Sequence, residues 1–239
     1  MKFVRQQPGY ALQALAREVT WADERFIGSL TRCAAANVRR FLDEPSQDAA
    51  FAEHLRGCQG DFRLAGVTSA DLYAKKVLLQ YAVVRAARPA MIVETGVANG
   101  VSSAHILLAL EKNGRGTLHS LEIGEQAYLP AGRETGWVVP AWLRGRWNLH
   151  IGDARAELPG LLRELAPVDI FIHDSLHTYE HMQFELRTAY PYVKESGLMV
   201  ADDALWNGAF VDFARETDEE GQIIRGVGYL RKSHGTASP

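Results

Sequence analysis

Two cysteines in 239 residues, Cys33 and Cys58, are too few for a disulfide framework, and their spacing suits no metal finger. One disulfide is the most they can form; we read them as free thiols of a reducing compartment. Charge of one sign is also scarce, since 26 Lys and Arg against 29 Asp and Glu leave a formal net charge of -3. No basic run or aromatic–basic interleaving occurs, which argues against a nucleic-acid surface and against a large polyanionic substrate. No apolar run is long enough to span a bilayer, and the start Met1 to Gln7 lacks the apolar stretch of a signal peptide. A soluble, cytoplasmic protein with no membrane or nucleic-acid partner is expected. Internal repeats are missing too, and the one biased tract is a polar tail from Ser233 to Pro239.

What is present is enough apolar material for a substantial core, 47% of the residues, in a length that suits one α/β domain with an added segment. Apolar residues recur at helical spacing over 11–19, 23–42 and 48–58, and Gly57, Gly60 and Gly66 then punctuate a loop. The run Thr68-Ser69-Ala70-Asp71 resembles a helix cap before Leu72, Val77, Leu78, Tyr81 and Val84, with Pro89 closing that helix. We therefore divide the chain into an N-terminal helical segment, 1–67, and a main domain, 68–239. From residue 90 strands and helices alternate, which argues for a parallel sheet with right-handed crossovers. Strands are expected at 90–93, 116–122, 147–151, 168–173 and 197–201, helices at 101–110, 154–166 and 179–192. The stretch 223–230 supplies a last strand, its glycines blurring the boundary.

The most informative stretch is Val93-Glu94-Thr95-Gly96-Val97-Ala98-Asn99-Gly100, between an apolar strand and a helix. A strand, a glycine turn and a helix start make a nucleotide-cofactor site at the carboxyl end of a parallel strand. Gly96 permits the tight turn, while Ala98 and Gly100 let a ligand approach the backbone. An ordinary βα turn would need glycine as well. The spacing is Gly-x-Ala-x-Gly rather than Gly-x-Gly-x-x-Gly, which argues against a dinucleotide. Glu122 ends the second strand, where it can take a ribose diol, and Asp153 follows the third, so that Glu94, Glu122 and Asp153 line one crevice in order.

A second constellation follows strands four and five: Asp174 after Ile170-Phe171-Ile172-His173, and Asp202-Asp203 after Met199-Val200-Ala201. Three carboxylates at one sheet edge repel one another unless a cation lies between them. Oxygen ligands favour a hard divalent ion, Mg²⁺ first, with Mn²⁺ or Ca²⁺ as alternatives. The same residues can instead cap the following helices, although an Asp-Asp pair is a poor way to cap one helix. His177, three residues beyond Asp174, stands where an imidazole can take a proton from a substrate hydroxyl. His173 lies within a strand and His181 on a helix beyond His177; an iron site of two histidines and a carboxylate drawn from these residues is a lesser alternative, which the Asp-Asp pair fits less well.

These residues carry a resemblance. The segment from Glu94 to Ser103 is similar to the first motif of class I S-adenosylmethionine methyltransferases, and more narrowly to the methyltransferase-24 group, which shares features with macrocin-type sugar O-methyltransferases. Phe171-Ile172-His173-Asp174-Ser175-Leu176-His177-Thr178-Tyr179-Glu180 resembles that group's Asp-x-x-His-x-Tyr segment, and Gly136-Trp137-Val138-Val139-Pro140, Arg146-Trp147 and Gly152-Asp153 its middle region. The likeness covers roughly 68–213. Asp174, His177, Asp202 and Asp203 also resemble the catechol O-methyltransferase pattern, which has Asn in place of Asp203 and a lysine base in place of His177. The histidine is the macrocin-like choice.

The resemblance implies a Rossmann-like, mostly parallel seven-stranded sheet flanked by helices and ending in a reversed hairpin. It implies S-adenosylmethionine held by Glu94, Gly96 and Ser102 at its amino-acid part, Glu122 at its ribose, Asp153 and Ala154 at its adenine, with Ser175 in reach. It places the metal on Asp174, Asp202 and Asp203 and the base at His177. A divalent-metal-dependent O-methyltransferase acting on a small-molecule hydroxyl (sugar, phenol or other natural product) is the expected function, in a homo-oligomer in which the resemblance implies that 1–67 serves as lid or oligomer contact. Specificity is expected in the N-terminal helices and the 124–140 loop, where Tyr128, Trp137 and Trp142 either line an apolar pocket or pack in the core or an oligomer contact, with Trp206 as a further acceptor wall. The rivals are a metal-dependent hydroxylase on the same scaffold, a cofactor-binding partner without turnover, and last a nicotinamide oxidoreductase.

Overall fold

A computed structural model of the chain describes residues 23–64, 75–124 and 129–233. The expected helix at 11–19, the cap at 68–71 and Tyr128 lie outside the described residues. In chain order the elements are α1 (Asp23–Thr31), α2 (Ala35–Gln47), α3 (Ala49–Leu64), α4 (Lys75–Ala87), β1 (Met91–Thr95), α5 (Val101–Asn113), β2 (Thr117–Glu122), β3 (Trp147–Ile151), α6 (Ala154–Leu165), β4 (Val168–His173), α7 (Tyr179–Ala189), β5 (Val193–Ala201), α8 (Ala209–Glu216), β6 (Gly221–Ile224) and β7 (Val227–Arg231). The strands form one seven-stranded sheet in the order β3-β2-β1-β4-β5-β7-β6. This is the mostly parallel, Rossmann-like sheet expected from the alternation.

Two compact units divide the chain, one built from Met91–Gly96 with everything from Gly152 onward, the other from Ala22–Ala90 with Val97–Ile151. The helices α1 to α3 fall in the same unit as 97–151. In the first unit β1 pairs parallel with β4 and β4 with β5, while β7 pairs antiparallel with both β5 and β6. Ile92, Val93, Phe171, Ile172, Met199 and Val200 are buried, giving the continuous apolar runs of strands covered on both faces. The stretch read as one last strand is a hairpin. Arg225 (φ 52°) and Gly226 (φ 83°) are both left-handed, as a two-residue turn between antiparallel strands requires.

In the second unit β2 pairs parallel with β3. The expected helix over 23–42 breaks after Thr31, where Arg32 turns left-handed (φ 59°) and the Cys33 N–H reaches back to the Gly28 carbonyl at 3.2 Å. Buried Tyr81 and half-buried Arg85 of α4 both donate to the Glu44 carboxylate of α2, at 2.7 and 2.6 Å. The α5 core includes His105, fully buried, with Nδ1 2.8 Å from the Val101 carbonyl and its ring edge-on to Phe51.

Burial pushes the His105 pKa down to about 4, against a smaller raising effect of its backbone hydrogen bond. The folded protein therefore holds this imidazole neutral where the unfolded chain, near pH 6.5, takes up a proton. Between those values the unfolded state binds more protons, so stability falls as pH falls through the window, by at most about 3 kcal/mol. In thermal melts from pH 7 to 4, His105→Gln should flatten this part of the profile; an unchanged slope would show that other groups set it.

Candidate metal and cofactor site

Parallel register assembles the first part of the site. Thr95 of β1 is level with His173 of β4, and His173 with Ala201 of β5, so the next residues, Gly96, Asp174 and Asp202, leave three adjacent strands side by side. The Asp174 N–H donates to the Thr95 carbonyl and the Asp202 N–H to the His173 carbonyl, each at 2.8 Å. The strand order reverses between β1 and β4, which is where ligands of open α/β sheets bind.

Asp174, His177 and Asp202 gather there, with ligand atoms of all three within 4.8 Å of one another. His177 Nε2 lies 3.6 Å from Asp174 Oδ1, and Asp202 is 3% exposed. Two carboxylates drawn together in a half-buried setting favour a cation between them. The chain's capping groups lie elsewhere. Thr178 caps α7 by accepting from the His181 N–H at 3.3 Å, and the cap position of α8 is Gly208, which has no side chain to accept. Helix capping therefore explains none of Asp174, Asp202 and Asp203.

Asp203 is not among the gathered carboxylates. The chain turns left-handed there (φ 49°). His177 stands in the cluster instead. Its loop is held by Asn207, whose Nδ2 donates to the His177 carbonyl at 3.2 Å, and the Trp206 ring lies 5.5 Å from the imidazole. Trp206 is 64% exposed and Leu176 58% exposed, giving the cluster an apolar rim. His173 and His181 both turn to the buried carboxylate of Glu185, at 2.5 and 2.9 Å. These two histidines are thus committed to a carboxylate rather than joining the Asp174 cluster as a two-histidine iron site would require.

The remaining candidates divide by environment. Glu94 is fully buried on β1. Gly96 is left-handed (φ 84°), and a Cβ there would meet the Asp174 carbonyl oxygen at 2.0 Å. Asp153 caps α6, accepting from the Arg155 N–H at 2.7 Å, and Ala154 is the first residue of that helix. The Ser175 hydroxyl donates to Glu185 at 2.8 Å. Glu185 and the role it gives Ser175 were not foreseen from the sequence.

In the other unit, Ala98 and Gly100 are left-handed (φ 45° and 84°). The Val97 and Ala98 N–H groups converge on one oxygen of Glu122, at 2.7 and 2.8 Å, a backbone nest around a carboxylate. Ser102 lies in the first turn of α5, whose cap is Gly100. Ile123, next to Glu122, is 54% exposed, an apolar surface beside a carboxylate that the spacing did not single out. Trp137 donates to Asn99 at 2.7 Å and carries the Arg133 guanidinium over its ring, whereas Trp142 is 53% exposed and edge-on to His54.

Residues 93–204 match the family model described as a methyltransferase domain, Methyltransf_24. That match spans 112 of the 239 residues. Demethylmacrocin O-methyltransferase of Streptomyces fradiae is 28% identical over 121 residues, 49% of this chain and 27% of that relative, so the chain spans about a quarter of the relative's length. Among solved structures, the O-methyltransferase TomG from Streptomyces achromogenes, involved in tomaymycin synthesis and solved in complex with SAM, superposes with a TM-score of 0.57 at 17% identity, over 82% of this chain and 98% of that one. The MycE methyltransferase from the mycinamycin biosynthetic pathway, solved with Mg and SAH, gives 0.50 at 15% identity, over 75% of this chain and 55% of that one. At these identities the superpositions establish the shared fold of the methyltransferase domain. No helix among the described residues is long and apolar enough to cross a membrane.

Proposed function

We propose that the protein is an S-adenosylmethionine-dependent, divalent-metal-dependent O-methyltransferase whose acceptor is a hydroxyl of a small molecule, a sugar, phenol or other natural product. The observation that carries this reading is the gathering of Asp174, His177 and Asp202 at the switch point of a methyltransferase sheet. The relatives support it: one is a demethylmacrocin O-methyltransferase, one is bound to SAM, and one to Mg and SAH.

The donor set fits a hard divalent cation, Mg²⁺ first, with Mn²⁺ or Ca²⁺ as alternatives. We assign the cation to Asp174 and Asp202, and to Asp203 on the family resemblance alone. For the sulfonium cofactor we assign Glu94, Gly96, Ser102, Glu122, Asp153, Ala154 and Ser175. Glu122 is held at one oxygen by the Val97 and Ala98 N–H groups, and its other oxygen, which accepts only a long 3.4 Å bond from the Gly124 N–H, would take ribose hydroxyls. The cofactor supplies an electrophilic methyl group, and the cation lowers the pKa of a hydroxyl beside it. His177 would accept the hydroxyl proton at Nε2, and the cofactor, when bound, would supply the methyl group to that oxygen and leave as a neutral thioether. Asn207 and Trp206 hold the His177 loop and ring for that step, and positioning supplies most of the rate. A dimer or larger homo-oligomer belongs to this reading on the resemblance alone.

Incubation with S-adenosylmethionine and a panel of glycosides, phenols and polyols, read as S-adenosylhomocysteine released, tests the reaction. With an acceptor in hand, His177→Ala should lower turnover by about 10²- to 10⁴-fold and leave Mn²⁺ and S-adenosylhomocysteine affinity unchanged. Loss of Mn²⁺ affinity would move His177 into the ligand set, and undiminished turnover would remove it as the base.

A further inference from the structure

Beneath the ends of β1 and β4 lies a carboxylate that the reaction above does not use. Glu185 of α7 is 0% exposed and accepts four hydrogen bonds, two on each oxygen. Thr95 Oγ1 and His173 Nδ1 donate to Oε2, each at 2.5 Å, and Ser175 Oγ and His181 Nε2 to Oε1 at 2.8 and 2.9 Å. Burial alone would raise the pKa of this carboxyl, but the hydrogen bonds from His173, His181 and the Thr95 hydroxyl outweigh it and hold it at about 2. Glu185 is therefore an anion in the core, with every strong acceptor direction engaged.

A buried charge is a costly way to fill a core, and apolar residues of similar volume often do so at no loss of stability. What this one grips is specific. His173 and Ser175 are the chain neighbours of Asp174 on either side, and Thr95 is the last residue of β1, whose carbonyl receives the Asp174 N–H at 2.8 Å. The His173 ring in turn meets the His177 ring edge-on, with centroids 5.4 Å apart. Its own-helix partner His181 lies one turn away and closes the shell.

We propose that Glu185 is a positioning residue for the metal site: by clamping His173 and Ser175 it fixes the backbone on both sides of Asp174, and through the His173 ring it supports His177, so that Asp174, His177 and Asp202 are set for a cation before it arrives. This rests on the metal reading of the cluster given above. It differs from a purely structural role in one respect. Loosening the clamp weakens metal binding beyond any general loss of stability, because a hard cation discriminates ligand geometry sharply.

The test is Mn²⁺ titration of the full-length protein, followed by electron paramagnetic resonance at a temperature where circular dichroism shows each variant folded. Glu185→Gln keeps the shape but replaces an acceptor oxygen by a donor, and should weaken Mn²⁺ binding at least tenfold. Leu186→Ala, at the next and equally buried position of α7, should lower the melting temperature and leave Mn²⁺ affinity as in the wild type. Should Glu185→Gln fail to fold, Ser175→Ala cuts one arm of the clamp and should weaken Mn²⁺ binding about threefold. Wild-type affinity in the clamp variant that folds, or equal weakening in Leu186→Ala, overturns the positioning role and leaves the metal reading standing. A wild-type protein that binds no Mn²⁺ overturns both.

Discussion

Gly96→Ala should lower the melting temperature by about 10 °C or more, the largest stability effect expected of any single-methyl addition in the site. Two independent costs meet at this position. The backbone is left-handed (φ 84°), which costs an L-residue about 1–2 kcal/mol. The added methyl would also lie 2.0 Å from the Asp174 carbonyl oxygen, 2.4 Å from its carbon and 2.8 Å from the Ser175 nitrogen. These are backbone atoms, tied to β1 by the 2.8 Å bond from the Asp174 N–H to the Thr95 carbonyl, so no rotamer change relieves the clash. Overpacking of this kind adds about 1–3 kcal/mol or more, and each kcal/mol moves the midpoint by about 2–4 °C in a chain of this size. Gly114→Ala is the control. It shares the left-handed backbone (φ 66°), yet its added methyl meets nothing within 4 Å, so its loss should be only the conformational part. Equal midpoints for the two variants in calorimetry would show that the Gly96–Asp174 approach is not tight.

The second large effect has opposite signs with and without metal. Asp202→Asn removes one charge from a pair of clustered carboxylates, of which Asp202 is 3% exposed. In the metal-free protein this relieves repulsion, so the variant should melt at or above the wild-type temperature. With Mg²⁺ or Mn²⁺ at about 100 times its dissociation constant, the wild type gains about 2.7 kcal/mol by binding in the folded state alone. The variant should gain almost none of it, and its turnover should fall on the order of 100-fold or more. Melting curves of both proteins in chelator and in metal check this. A variant destabilised in chelator, and stabilised by metal as much as the wild type, would mean that Asp202 is structural.

The site was legible in the sequence where strand topology alone decides it. Asp174 and Asp202 each follow an apolar strand, and parallel register obliges the residues after neighbouring strands to lie side by side. The strands Trp147–Ile151 and Val168–His173 were read to the residue because both are bounded by turn residues. The left-handed turn at Asp203 was not so accessible, because two adjacent acidic residues carry no turn signature of their own. The reversed hairpin implied by the resemblance could not be placed in 223–230, because Arg225 carries no turn signature and Gly226 alone read as a weak point in one strand. β5 begins four residues earlier than expected, at Val193, because Lys194, Glu195 and a left-handed Ser196 (φ 62°) mask the strand pattern.

Glu185 was missed because a glutamate on a helix ordinarily faces water. One signal could have exposed it. His181, Met182, Glu185, Leu186 and Ala189 fall on one face of α7 and are all buried, so a histidine and a glutamate four residues apart share the apolar side. Such a pair must satisfy itself or something beneath it.

The central claim is the proposal that this chain binds a sulfonium cofactor and its demethylated product. Isothermal titration calorimetry of the full-length protein with S-adenosylhomocysteine, with NAD as the comparison ligand, tests it most directly. The account predicts one saturable site for S-adenosylhomocysteine, strongly weakened in Glu122→Ala, and no heat of binding with NAD. Absence of S-adenosylhomocysteine binding by a folded wild-type protein, or binding of NAD in its place, would contradict it.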